Sequence, residues 1–96
     1  MTSLFHISIV PKAGVTQDKV EEILSLGVDW YRYREGCYIV ETTSDEDKWF
    51  TRLKPYVDPE GYLFICKFDH KHYNGWMAKP FWEWYRTKVN KLSGNA

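Results

Sequence analysis

The residues best suited to chemistry are two histidines with an aspartate and a cysteine nearby. Asp69 directly precedes His70, and His72 follows two positions later, with Cys66 a short distance upstream. A strand places alternate side chains on one face, so Cys66, His70 and His72 would share a face and supply three zinc ligands. A zinc motif closes its coordination with a fourth ligand in a paired spacing, which this segment lacks. We therefore predict no metal site and no cofactor, with His70 and His72 as the candidate ligands should a metal bind.

A second group of residues has the chemistry to contact nucleic acid. The ring of Tyr38 could stack on a base, with Phe5 or His6 on a neighbouring strand, while Arg32 and Arg34 reach phosphate. The spacing differs from the aromatic motif of RNA-recognition sheets. The chain also carries 13 basic and 13 acidic side chains, so its net charge is zero, whereas nucleic-acid binding favours a basic surface. Packing in the core or at an interface is therefore the favoured role.

Aromatic residues make up 18% of the chain, more than one small core is expected to bury. Phe81, Trp84 and Tyr85 have the spacing of one helix face, which favours packing on a sheet. Trp82 lies on another side of that helix, and Trp76 precedes it in a loop. Tryptophan dominates binding hot spots, so we predict Trp76 and Trp82, with Trp84 beside them, as residues that bind a partner.

A catalytic arrangement is not legible in the sequence. Cys37 and Cys66 lie in apolar runs without a neighbouring base, which predicts buried free thiols. The acidic residues 45–47 are typical of a helix start, and residues 13–15 are typical of a turn rather than a phosphate-binding loop. The sequence therefore favours a protein that is not an enzyme, without excluding an enzyme.

The elements that would position these residues alternate between strands and helices. Thr16 is the predicted N-cap of the first helix and Gly27 its stop, and Ser44 is the predicted cap of the second helix. In that second helix, residues 49, 50 and 53 should face the core, and Pro80 should open a third helix. The predicted strands span residues 4–10, 29–34, 37–42 and 62–69, and the first helix spans residues 17–26.

Right-handed crossovers would fold four such strands into one antiparallel sheet. The predicted class is α+β, a ferredoxin-like βαββαβ unit with two helices on one face of the sheet and an added C-terminal helix. Residues 1–92 would form a single domain, and residues 93–96 a frayed tail. The second sheet face would be covered by the third helix or by another copy of the chain.

Nearly the whole chain resembles the small proteins grouped as the SinR-like family, which is akin to the small CRISPR-associated ferredoxin-fold nuclease family. The segments that carry this resemblance are LFHISIV, SLG, DWYRYREGCYIVETT, LKPYVDPEG, YLFICKFD and GWMAKPFWEW. The resemblance implies a ferredoxin-like fold and dimerisation through the sheet and C-terminal region. In the nuclease relatives it further implies an acidic residue at the end of the first strand that holds a divalent metal. Here Val10, Pro11 and Lys12 occupy that place.

The predicted setting is the bacterial or phage cytoplasm, because no signal peptide or membrane-length apolar segment is present in the sequence. Our leading hypothesis is a small non-enzymatic, homodimeric protein that binds another macromolecule, for which an unidentified protein is the favoured partner. A phage or mobile-element inhibitor of a host system would suit such a chain. The alternatives are a divalent-metal-dependent nuclease of the CRISPR-associated type and a binder of single-stranded nucleic acid or nucleotides.

Overall fold

The computed structural model describes residues 1–94, so the last two residues of the predicted tail lie outside the described part. This part forms an α+β structure with one four-stranded antiparallel sheet and three α-helices. The strands are paired in the order β2-β3-β1-β4. The elements in the described chain are β1 (Ser3–Val10), α1 (Gln17–Leu24), β2 (Asp29–Arg34), β3 (Cys37–Thr42), α2 (Glu46–Leu53), β4 (Tyr62–Phe68) and α3 (Lys79–Leu92), with a short 3₁₀ turn (Lys54–Tyr56) after α2.

The main core lies between the sheet and the helices α1 and α2. Alternate residues of β1 supply its sheet side, because successive strand side chains point to opposite faces. Residues spaced four apart supply its helix side, namely Val20 with Leu24 and Trp49 with Leu53. The predicted core positions of α2 are confirmed, apart from Phe50. Phe50 is 49% exposed, because it lies about 100° around the helix from Trp49.

A smaller core lies on the other face of the sheet, where α3 packs against its own chain. Phe81 and Tyr85 of α3 are buried against Leu4 of β1 and Ile39 of β3. The C-terminal helix therefore covers part of the second sheet face, a role that the sequence left open between this helix and a second copy. We call this second face the outer face of the sheet.

A buried ionic network ties α3 to the outer face. Glu41 of β3 is fully buried, and its Oε1 lies 3.1 Å from the Lys88 ammonium. The same ammonium lies 2.7 Å from Oδ2 of Asp29, while Lys91 contacts Oε2 of Glu41. Burial acts to raise the pKa of Glu41, but hydrogen bonds from Lys91, Thr2 and Lys88 outweigh it and hold that pKa below its usual value.

The helix ends differ from the predicted caps in two places. Asp45, not Ser44, caps α2, since its Oδ1 accepts from the Lys48 amide at 2.9 Å. The Ser44 amide instead donates to Oγ1 of Thr42. Thr16 caps α1 as predicted, with its Oγ1 accepting from the Lys19 amide at 3.2 Å.

The first helix ends at Leu24, two residues earlier than predicted. Gly27 is not the left-handed stop that was expected, because its φ is not positive. The residue is needed for close packing, since a Cβ there would lie 3.1 Å from the carbonyl oxygen of Glu41 and 3.3 Å from the Trp49 ring. The glycine lets the chain pass between α2 and the end of β3.

The fourth strand ends at Phe68, one residue before the predicted end, and is less buried than expected. Tyr62 and Phe64 are 75% and 64% exposed, and Cys66 is exposed as well. The prediction of a buried thiol is therefore wrong for Cys66, while Cys37 is half-buried. The reason is tertiary, because α3 lies across the outer face without reaching this part of β4.

Candidate functional site

An aromatic cleft of about 240 Å³ lies between α3, the loop that precedes it and the outer face of the sheet. Its floor comes from Tyr33 and Ile39 on the two hairpin strands and from Phe68 at the end of β4. The loop and α3 form its walls with Tyr73, Met77, Phe81, Trp82 and Tyr85. The cleft therefore gathers residues that are far apart in the sequence.

The rings of the cleft wall hold each other in defined orientations. Tyr73 meets Tyr85 edge-on, with centroids 4.6 Å apart, and Trp82 meets Tyr85 edge-on at 6.2 Å. Phe81 and Tyr85 are stacked at 5.6 Å. Such tilted and offset pairs are the favoured arrangements of aromatic rings. The cleft is consequently preformed rather than made by loose side chains.

Local sequence explains how α3 supplies this wall. Pro80 lies in the first turn of the helix, where its missing N–H costs nothing. Phe81 and Tyr85 are four residues apart and point onto the sheet, which places Trp82 on the flank of the helix. At the far end of the loop, the Asp69 carboxylate accepts from the Lys71 amide at 2.9 Å and starts the turn out of β4.

Trp76 stands at the rim of the cleft and is 98% exposed. Its chain neighbours Gly75 and Met77 both line the cleft, so the indole projects from the edge of the opening. Trp82 is half-buried within the wall. The structure thus brings two of the three predicted partner-binding tryptophans together at one opening.

The third predicted partner-binding residue, Trp84, does not line the cleft and packs against β2. Its ring packs 5.3 Å from that of Tyr31, and its Nε1 donates to Oδ2 of Asp29 at 3.0 Å. The Lys88 ammonium lies 5.3 Å from the centre of the same ring. Trp84 therefore anchors α3 to β2, and its position does not support a partner-binding role.

The described residues that line the cleft include no carboxylate, histidine, lysine or arginine. Burial lowers the pKa of His6, whose Nε2 lies 2.5 Å from the Tyr33 hydroxyl. Burial also raises the pKa of Tyr33, and it raises that of Tyr85 to about 12. Each side chain that lines the cleft is thus uncharged, which suits an apolar or aromatic group and not an ion.

The predicted nucleic-acid residues lie elsewhere. Tyr38 is only 1% exposed and points toward α1, where its hydroxyl donates to Oε2 of Glu21 at 2.9 Å. Arg32 pairs with the same carboxylate at 2.8 Å, while Arg34 is exposed beside an irregularity in the β2–β3 pairing. Burial, followed by Glu21, raises the pKa of Tyr38. A buried ring cannot stack on a base, so the structure does not assemble these residues into a nucleic-acid surface.

The predicted metal candidates make separate contacts. His70 Nε2 lies 3.3 Å from the Ser93 hydroxyl, and His72 Nδ1 lies 3.2 Å from Oδ2 of Asp69. Within residues 1–94, no group of three or more His, Cys, Asp or Glu side chains is placed to hold a metal ion. The end of β1, where the resemblance to the nuclease family led us to look for an acidic residue, presents the exposed side chain of Val10.

Sequence reasoning missed the floor residues Tyr33, Ile39 and Phe68 and the loop residues of this cleft. Tyr73 and Met77 lie in a polar loop without periodicity, so no local signal connects them to Trp82. The exposure of Tyr62 and Phe64 had no signal in the sequence, because residues 62–66 are apolar throughout.

Comparisons with known proteins add no relative: no family model, curated protein or solved structure matches this chain. None of the helices formed by residues 1–94 is long and apolar enough to cross a membrane.

Proposed function

We propose that this chain is a small non-enzymatic interaction protein that holds an apolar side chain of a protein partner in its aromatic cleft. The observation that carries the proposal is the almost fully exposed indole of Trp76 at the rim of an uncharged, preformed cleft. An exposed aromatic group beside an apolar concavity is typical of an interaction site. In this proposal the partner's side chain enters the cleft, and Trp76 closes over it.

The free energy expected from burying the Trp76 ring against a partner is sufficient to make Trp76 a hot spot of binding. An aromatic side chain buries about 150–250 Å², which at about 25 cal/mol per Å² gives roughly 4–6 kcal/mol before ordering costs are subtracted. Trp82 contributes differently, because its ring is already held by Tyr73 and Tyr85. It offers a rigid contact that loses little conformational entropy on binding.

A protein partner is favoured over nucleic acid by the charge of the site. The cleft lining is neutral, whereas phosphate-rich ligands are bound by Lys and Arg. The other alternative, a metal-dependent nuclease, has no supporting observation among the described side chains. We therefore develop only the protein-binding function.

The finer descriptions of the chain belong to the same proposal. The ferredoxin-like βαββαβ arrangement with α3 as an addition is supported by the element order and by the sheet order β2-β3-β1-β4. SinR-like membership, a homodimer and a role as a phage or mobile-element inhibitor stay predictions from the sequence. One argument for a homodimer was that a second copy would cover the outer face of the sheet. That argument is weaker, because α3 already covers part of this face.

Selection of peptides on the immobilised protein tests the proposed site. We expect enrichment of peptides with a large apolar side chain, and their binding to Trp76→Ala and Trp82→Ala should weaken by about tenfold or more. Leu26→Ala is the matched control, since Leu26 is an exposed apolar residue just after α1, away from the cleft lining. Circular dichroism confirms that each variant is folded.

Two results would contradict the proposal. One is a set of enriched peptides whose affinity is unchanged by both tryptophan substitutions in folded protein. The other is enrichment of acidic or phosphorylated ligands over apolar ones, because the lining of the cleft offers such ligands no cationic partner.

A further inference from the structure

The β4 strand forms an edge of the sheet. In the described part of the chain it pairs with β1 alone, and the order β2-β3-β1-β4 leaves its other side without a neighbouring strand. An edge strand presents a row of N–H and C=O groups that another extended chain can pair with. Protection of such an edge normally comes from charges, proline, a bulge or a covering element.

These protections are weak along the first part of β4. Residues 62–66 have the sequence YLFIC and carry no charge and no proline. The pairing of β4 with β1 keeps one register from Tyr62 to Phe68, as expected for a regular strand. Exposed Phe64 and Tyr62 lie on the outer face, so an added strand would find apolar side chains beside it.

A groove of about 220 Å³ runs along the same edge on the α2 side of the sheet. Leu63 and Ile65 form its apolar floor, together with the half-exposed ring of Phe50. Glu46 and Asp47, both exposed in the first turn of α2, form its acidic border. The edge therefore combines backbone pairing groups, an apolar floor and negative charge.

We propose that the β4 edge binds an extended segment of a protein partner, with alternating apolar residues and with lysine or arginine facing Glu46 and Asp47. The segment adds as a fifth strand beside β4. Main-chain hydrogen bonds supply affinity in this mode, and pockets for alternate side chains supply specificity. The acidic border selects a basic segment, because exposed opposite charges steer association.

The same border disfavours self-pairing of β4. Two identical edges pair around a two-fold axis, which brings equivalent regions of the two copies together. Glu46 and Asp47 of one copy would then approach the same acids of the other. Like charges at such a contact are unfavourable, so a basic foreign segment fits this edge better than a second copy does.

This inference extends the proposed function but rests on different residues. Trp76 and Trp82 belong to the cleft, whereas the edge site is made by β4 and the start of α2. Trp76→Ala should thus weaken cleft binding and leave edge binding intact. Failure of one site is therefore distinguishable from failure of the other.

The experiment uses two short synthetic peptides, one of alternating lysine and valine and its twin with glutamate for lysine. Each is titrated into isotopically labelled protein while backbone amide shifts are recorded. We expect the lysine peptide to shift amides of β4 and of α2's first turn, with an affinity at least about tenfold above that of the twin. Added salt should reduce the difference.

Two protein variants and one modified peptide test which groups make the contact. Glu46→Gln with Asp47→Asn should remove the preference for lysine, and Phe64→Lys should weaken binding of the lysine peptide by charge repulsion. A lysine peptide methylated on alternate backbone nitrogens, so that its pairing N–H groups are lost, should not bind.

The inference is overturned if the two peptides bind equally or if the methylated peptide binds as well as its parent. It is also overturned if neither peptide shifts the β4 amides. Light scattering tests whether a second copy of the chain binds the β4 edge instead. A dimer that Phe64→Lys converts to a monomer would assign this edge to a second copy.

Discussion

The two edges of the sheet are built in opposite ways. The β2 edge carries Arg32 and Arg34, and its pairing with β3 shifts register between them. Helix α3 also packs against it, through Trp84 on Tyr31 and through Lys88 on Asp29. The β4 edge has an uncharged first part and a regular register, with exposed rings beside it. The same chain thus protects one edge with charge, irregularity and a helix, and leaves the other open for pairing.

The largest effect is expected where α3 is fastened near the protected edge. Glu41→Ala removes the fully buried carboxylate and leaves Asp29 as the carboxylate partner of Lys88 among residues 1–94. Removing one member of a buried ion pair costs about 3–5 kcal/mol in the free energy of unfolding. Urea unfolding followed by tryptophan fluorescence measures this change.

The control for that substitution is Glu22→Ala, which removes an exposed carboxylate paired only with Lys19 on α1. An exposed pair of this kind contributes about 0–1 kcal/mol. Equal losses in the two variants would show that the Glu41 network does not hold α3 to the sheet.

A second prediction compares two tryptophans that belong to the same segment. Trp84→Ala removes the contact with Tyr31 and the hydrogen bond to Asp29, so it should lower the free energy of unfolding by about 2–3 kcal/mol. Trp76→Ala removes a ring that is 98% exposed and should change stability by less than about 0.5 kcal/mol. Thermal unfolding measures both, and similar losses would contradict the separate roles assigned to them.

The third prediction concerns acid. Hydrogen bonds from Lys91, Thr2 and Lys88 outweigh burial and lower the pKa of Glu41, so its folded pKa lies below its unfolded pKa. The associated stability is therefore full above the ordinary glutamate value of about 4.3 and is lost as the pH falls through the folded pKa. The pKa of Asp29 is lowered as well. Burial acts to raise that pKa, but hydrogen bonds from Lys88 and Trp84 outweigh it.

Unfolding measured at a series of acidic pH values tests this effect. The free energy of unfolding should fall less steeply with decreasing pH in Glu41→Gln than in the original protein, because one of the two carboxylates no longer titrates. Parallel curves for the two proteins would mean that Glu41 is not ion-paired in solution.

The smallest stability effect is expected at the open edge. Phe64→Lys replaces a ring that is 64% exposed and should change the free energy of unfolding by within about 0.5 kcal/mol. A loss as large as that of Trp84→Ala would show that the Phe64 ring contributes to the fold and is not held free for a partner.

Much of the architecture was predictable because its signals are local. The bounds of β2 and β3 agree with the prediction, since a tight turn separates two runs of β-forming residues. The cap at Thr16 and the buried pairs of α2 and α3 were likewise readable from spacing. The choice of Asp45 over Ser44 was not, because adjacent residues of similar capping preference differ only in how the chain enters the helix.

The candidate site was predictable in part. Composition indicated surplus aromatic surface, and helical spacing separated Trp82 from Phe81 and Tyr85. Helical spacing also predicted that Trp84 packs on the sheet, and the structure confirms it. Its partners Tyr31 and Asp29 were not readable, because they lie more than fifty residues away in the chain. The cleft itself depends on rings from the hairpin, from β4 and from the loop, which only the folded sheet brings together.

Periodicity within single segments was enough to predict the succession of strands and helices along the chain and most of the residues that each helix packs on its core. The tertiary structure decided which aromatic strand residues are exposed. Tyr38 in the central strand β3 is covered by α1 and α2, whereas Tyr62 on the edge strand β4 lies beyond α3. Both are tyrosines in apolar strands, and their difference comes from which sheet face and which edge the helices cover.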